Sequence, residues 1–169
     1  MSIEHASITS FRGEHTRRGG TGEVVILPDS AHTAALAAAA LGCDVGAIAN
    51  SLLFDADGEP VLVLTSGAHR VDTAAVARRI GVGRLKRADP EFVRRHTGQV
   101  IGGVSPIDHP APVRTWIDPW LKQHDVIWAA AAIAGVLLLL GLVMLFFVAR
   151  LIRRGWRRWK KKDPIHQLA

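Results

Sequence analysis

Apolar and polar positions divide this chain into a patterned stretch over residues 23–130 and an unbroken apolar run that follows it. Residues 24–27, 47–54 and 61–65 are short apolar runs rich in Val, Ile and Leu, which predict buried strands. The last two flank Asp55, Ala56, Asp57, Gly58, Glu59 and Pro60, turn chemistry that predicts a hairpin. The alanine-rich residues 31–41 predict a helix capped by Asp29 or Ser30 and closed by Gly42. A second helix is expected from Asp72 or Thr73, with Ala75, Val76 and Ile80 on one face and Gly81 past its end. Asp89 and Pro90 predict a third, short helix ending at Thr97 and Gly98. A strand near Leu85 and strands over 113–117 and 126–130 complete the series. Strands and helices alternate irregularly around an internal hairpin, so the expected fold class is α+β, a mixed sheet with flanking helices. Residues 1–22 are polar and glycine-rich near their end, and read as a flexible lead-in.

Residues 126–149 carry no charged side chain, and eight lysines and arginines crowd between Arg150 and Lys162. As a helix, such a run reaches roughly 36 Å, enough to cross a hydrocarbon core of about 30 Å. With 126–130 kept as a strand, the expectation is a single transmembrane helix over 131–151 and a basic tail over 152–169 that faces anionic lipid headgroups. Trp128 near one end, and Trp156 and Trp159 beyond the other, suit interfacial aromatic belts.

Charge follows the same division. Residues 150–163 sum to +7 against a whole-chain total of +6, so residues 1–149 come to about −1. The high pI therefore belongs to the tail, and RNA binding by the preceding domain must come from local patches. About 125 residues before the apolar run allow one domain with a core of its own. Cys43 is the only cysteine, which excludes an internal disulfide and any multi-thiolate metal site. The eight histidines have no metal-ligand spacing, so neither a metal nor a cofactor is expected. No apolar stretch suggesting a secretory signal appears near Met1.

Gly102, Gly103, Val104, Ser105 and Pro106 form the most suggestive local feature, because paired glycines expose backbone N–H groups that can hold a carbonyl or carboxylate. An ordinary tight turn is the alternative. Its company changes the reading: residues 48–54, 64–72, 88–93 and 97–106 occur as an ordered series. That series resembles the YbaK / prolyl-tRNA synthetase-associated domain family of bacterial aminoacyl-tRNA editing deacylases, over roughly residues 23–131. The resemblance implies hydrolysis of the ester joining an amino acid to the terminal ribose of mischarged tRNA. It implies a pocket between the Ile48 strand and the glycine loop, with Asn50, Gly102, Gly103, Ser105 and Pro106 as catalytic candidates and Ser51 and Asp118 as substrate-binding ones. An aminoacyl-tRNA synthetase is a further implied partner.

The ester is activated, so the site must position water and stabilise a developing oxyanion more than it must supply a strong nucleophile. Ser105 is either a nucleophile or a hydroxyl that stabilises the loop. Three departures from the family pattern stand out. Asn50 occupies a position where members often carry lysine, which removes a positive charge. Asp108 follows the turn where the family tends to place glycine; it either alters the loop's shape or, as favoured here, faces solvent. The membrane run replaces the family's last strand and helix, which predicts an uncovered sheet edge. The expected activity is therefore a membrane-tethered aminoacyl-tRNA deacylase. A catalytically silent binding module on a single-pass membrane protein, or a truncated or fused product, are the alternatives. The basic tail favours a cytoplasmic C-terminus, whereas editing needs the domain itself in the cytoplasm, where it is placed here.

Overall fold

The computed structural model describes residues 6–27, 33–131, 146–149 and 165–167. Its central element is a hairpin of β2 (Ile48–Ala56) and β3 (Glu59–Ser66), joined by Asp57 and Gly58 at φ 55° and 96°. Two consecutive positive φ values match the twist of the flanking strands, and an Asp-Gly pair is suited to them. Val61, Leu62, Val63 and Leu64 are 0–5% exposed, so β3 is covered on both faces and reads as a continuous apolar run.

Around the hairpin stand β1 (Glu23–Ile26), β4 (Leu85–Arg87), β5 (Arg114–Ile117), β6 (Trp128–Ala131), β7 (Phe146–Ala149) and β8 (Ile165–Gln167). Among the described residues all eight strands join one mixed sheet in the order β1-β7-β6-β2-β3-β5-β8, with β4 also paired to β2. The expected α+β class is what the structure shows.

Helix α2 (Ala34–Leu41) starts at Thr33, whose hydroxyl accepts from Leu36 N–H at 3.2 Å, and ends at Gly42 in the left-handed region. Asp29, Ser30 and Ala31, where the sequence pattern began this helix, lie outside the described residues. Cys43 packs just past the helix end. Helix α3 (Thr73–Ile80) is capped by Asp72, and α4 (Pro90–Thr97) by Asp89 with Pro90 in its first turn. Helices α2 and α3 pack on the sheet face that carries Ile48, Phe54 and Val63, whereas α4 packs on the face that carries Leu53 and Leu64.

Two sequence expectations are corrected. Residues 6–17, assigned to a flexible lead-in, form helix α1 (Ala6–Arg17), with Ile8 and Phe11 buried at 2% and 0% exposure. Two inward residues one turn apart are too narrow a stripe to register as periodicity, yet they suffice to dock a helix. The second correction concerns the transmembrane helix over 131–151. Ala131 belongs to β6, and Phe146–Ala149 form β7, which pairs antiparallel with both β6 and β1. The edge expected to lie bare is paired. An apolar run reads alike as a buried strand or a helix, and here sheet neighbours pair with Ala131 and with Phe146–Ala149. Ile165–Gln167 of the basic tail likewise pair with β5. Residues 132–145, 150–164 and 168–169, with the rest of the apolar run, the basic cluster and their lipid contacts, lie outside the described residues. No helix among the described residues is long and apolar enough to cross a membrane.

The end of β3 packs tightly against the start of β2. Gly67 N–H donates to Ile48 carbonyl at 2.7 Å, and a Cβ on Gly67 would sit 2.5 Å from the Val45 carbonyl oxygen. Gly67→Ala is therefore expected to lower unfolding stability by about 1–3 kcal/mol, read as a shift in denaturant midpoint at unchanged slope.

Candidate active site

Strand β2 is interrupted along one edge. Its far side pairs with β3 along the full hairpin, but its near side meets β6 only at Ile48 and Ala49, and β4 only from Phe54 to Ala56. Residues 50–53 have no strand partner on that side. Backbone groups alternate sides along a strand. Ile48 carbonyl accepts from Gly67 on the β3 side and Leu53 carbonyl from Ala88 N–H on the other. Ser51, of the same parity as Leu53, therefore presents its N–H and C=O to the gap, together with Leu53 N–H.

A cavity of about 260 Å³ opens at this gap. Asn50, Ser51, Arg87, Val93, Ile101 and Gly102 are among its walls, with Ala130 of β6 at one end and Ala88 after β4 at the other. Ser51 Oγ is buried and has no hydrogen-bond partner among the described residues. A buried hydroxyl in that state costs roughly 1–3 kcal/mol until a ligand or water satisfies it. The Asn50 amide, which also makes no hydrogen bond among the described residues, lies on the opposite face of the strand from Ser51. The cavity passes through the sheet's gap, so both can line it.

The loop that closes the cavity is built from the inside. Gln99, 4% exposed, accepts Ser105 N–H at 2.7 Å through its carbonyl. Its amide donates to Ser105 Oγ at 3.0 Å and to the Asp108 carbonyl at 3.2 Å. Ser105 is fully buried, and its hydroxyl in turn donates to the Ile107 carbonyl. Gly103 N–H donates to Val100 carbonyl at 3.0 Å. Gly102 has φ +88° and open space where a Cβ would stand, and its N–H makes no hydrogen bond among the described residues.

Of the residues singled out from sequence, the structure brings Asn50, Ser51 and Gly102 to one cavity. Gly103, Ser105 and Pro106 are not among its walls; they shape the loop behind Gly102. Of the two roles open to Ser105, the geometry is that of a loop-stabilising hydroxyl, already engaged on both sides. Asp118 stands elsewhere, capping the turn Pro119–Gln123 and accepting from Ser66 N–H at 3.1 Å and His69 Nδ1 at 2.7 Å. Burial raises its pKa, but hydrogen bonds from Trp120, His69 and Ser66 outweigh that and hold it below the usual carboxylate value.

A family profile described as "Aminoacyl-tRNA editing domain" matches residues 28–145. The chain belongs to the aminoacyl-tRNA editing domain family. A proline–tRNA ligase of Nitratidesulfovibrio vulgaris is 30% identical over 131 residues, which cover 78% of this chain and 22% of the ligase. The chain thus spans about a fifth of that relative. An uncharacterized protein of Bacillus subtilis, YwhH, is 27% identical over 73% of this chain and 79% of its own. A solved structure described as a candidate trans-editing enzyme for prolyl tRNA synthetase superposes with TM-score 0.80 and 31% identity, covering 98% of both chains. The matched family span runs on to residue 145, so the editing domain continues into the run that hydropathy alone assigned to a membrane.

Within this editing domain, Asp108 adopts φ 66°, a left-handed conformation that aspartate tolerates and most residues do not. It does not simply face solvent, because its carboxylate accepts from Ser10 Oγ of α1 at 3.2 Å. Sequence reasoning missed Gln99 and His109. Gln99 carried a signal, a polar side chain directly after a helix-ending Gly98 and before the glycine pair, but only the fold shows what it clamps. His109 Nε2 donates to the Ser105 carbonyl at 3.0 Å.

Gln99→Leu is expected to leave Ser105 N–H and Oγ without their partner, lowering unfolding stability by about 1–3 kcal/mol, read as a shift in denaturant midpoint. Ser105→Ala, in contrast, should retain activity within about tenfold of the parent; loss of about a thousandfold or more in a single-turnover assay would mark it as a nucleophile. Burial foremost lowers the His109 pKa from 6.5, against the opposing pull of the Ser105 carbonyl and Asp108. With the folded value below the unfolded one, its contribution to stability is present above about pH 6.5 and is lost as pH falls through the folded value. The expected outcome is a melting temperature that declines below pH 6.5, with a shallower decline in His109→Gln.

Proposed function

We propose that this chain hydrolyses the ester of mischarged aminoacyl-tRNA, releasing amino acid and free tRNA. The reading rests on the interrupted edge of β2, where the N–H groups of Ser51 and Leu53 face a gap that opens into a cavity lined by Ser51, whose buried hydroxyl is unpartnered among the described residues, and by Gly102. An aminoacyl group laid along this edge is an extended peptide-like fragment, which a partnerless strand can hold by backbone hydrogen bonds. Water adds to the ester carbonyl, and the tetrahedral oxyanion is met by backbone N–H donors such as that of Gly102. Collapse expels the ribose oxygen, which takes up a proton. Such donors are worth about two to three orders of magnitude in rate when preorganised. The cavity is small, which suits an amino acid rather than a longer peptide.

Asn50 gives a second reading specific support. An amide donates a hydrogen bond but brings no charge to the oxyanion or the nearby phosphate, so the domain could bind mischarged tRNA without turning it over. Full-length protein assayed against a panel of mischarged tRNAs separates the two. Release of amino acid above the buffer rate is expected, with Gly102→Val lowering it about a hundredfold, because a β-branched residue is strained at φ +88° and crowds the cavity mouth. Asn50→Lys should raise the rate. Binding without release in both the parent and Asn50→Lys would leave only the binding module.

A further inference from the structure

Beyond the candidate active site, a larger cleft of about 610 Å³ lies between α3 and the ends of β3 and β5. Its apolar floor includes Val63 and Val76, and its walls carry His69, Arg70, Arg78 and Arg79. All three arginines are exposed, and none pairs with a carboxylate among the described residues. The two carboxylates of the cleft are already engaged. Asp72 caps α3 by accepting Ala75 N–H at 2.9 Å, and Asp118 accepts from Thr65, Ser66, His69 and Trp120. At the cleft's rim the His69 ring lies 5.2 Å from that of Trp120, tilted by 59°. Trp120 is 44% exposed, an indole held out to solvent beside a histidine that Asp118 fixes in place.

The cleft adjoins the site where the ester is read. Thr65 lines the cleft and Asn50 lines the smaller cavity, and the two are directly opposed in the β2–β3 ladder. Opposed residues have Cβ atoms only about 5 Å apart. Unpaired guanidinium groups suit phosphate oxygens, and an exposed indole suits a nucleobase face.

We propose that this cleft binds the single-stranded acceptor end of tRNA, with Arg70, Arg78 and Arg79 on the phosphodiester backbone and Trp120 as a stacking surface for an unpaired base. The proposal rests on the hydrolytic reading above, since it supplies the grip on the polynucleotide whose ester lies in the β2 gap. It also places the RNA-binding charge on a local patch of a domain whose sum is near neutral.

Fluorescence anisotropy of the full chain with labelled, uncharged tRNA, over about 50 to 400 mM KCl, tests it without requiring turnover. The basic cluster over 150–162 contributes equally to parent and variants, so the difference between them is what is read. Arg78→Gln combined with Arg79→Gln is expected to weaken binding about tenfold or more and to lower the salt slope by about 1.4, at about 0.7 per lost single-strand contact. Trp120→Ala should weaken it about tenfold, with Trp120→Phe retaining most of the affinity and the same salt slope. Thermal melts matching the parent confirm that the variants fold; both arginines are exposed and near the end of α3. Affinity and slope unchanged within twofold in the arginine pair overturn the proposal, even if the parent cleaves mischarged tRNA. Loss of affinity and slope in that pair upholds the cleft as an RNA surface, even if no tRNA is cleaved and the hydrolytic reading falls.

Discussion

The rest of the structure depends on the fact that β2 is shared. Two strands meet one of its edges at opposite ends, β6 at Ile48 and Ala49 and β4 from Phe54 onward, and neither reaches the middle. An ordinary sheet would fill those positions and bury their backbone groups in the ladder. Here the fold leaves them open, while β3 on the other side holds the strand rigid through eight aligned positions. A strand edge is normally a liability, inviting pairing with another chain. Enclosed by α4, the glycine loop and the two partial neighbours, this one is too short for a foreign strand and long enough for an aminoacyl group.

Rigidity behind the loop matters as much as the gap in front of it. Electrostatic stabilisation by backbone N–H groups works only when the donors are held before the reaction begins. Gln99 does this with one side chain, using its carbonyl and its amide to fix Ser105 and Asp108 from within the core. Helix α1 reaches the same segment from outside through Ser10. The loop is thus held on both sides, and Gly102 is the point where it faces the cavity.

Helices α2 to α4, the hairpin and the loop were legible because local chemistry decides them: Asp72 and Asp89 cap, Gly42 and Gly81 terminate, and Asp57-Gly58 turns. The candidate site was legible only in part. Asn50, Ser51 and Gly102 could be named from the ordered motifs, yet nothing local distinguishes Gly102, which faces the cavity, from Gly103, whose N–H is spent on Val100. Ser105 looked chemical in sequence and is structural in the fold, because its role is set by Gln99, six residues away. Helix α1 escaped notice because two buried side chains make no periodic signal. Asp118 was grouped with the active-site residues, but the β3–β5 pairing carries it to the arginine cleft instead.

The apolar run shows most clearly where hydropathy stops deciding. A backbone removed from water must find hydrogen bonds, and a helix finds them within itself whereas a strand borrows them from neighbours. Composition cannot tell which, but topology can. Strand β6 pairs with β2 over only two positions, too few to fix its place. It pairs with β7 over four, and β7 pairs with β1 over four more, so Phe146–Ala149 tie β6 into a broader ladder. Since Ala130 of β6 forms one end of the cavity, the apolar run reaches the candidate site from behind. It does not merely follow the editing domain: through β7 it holds the strand whose short pairing with β2 leaves the gap of the candidate site.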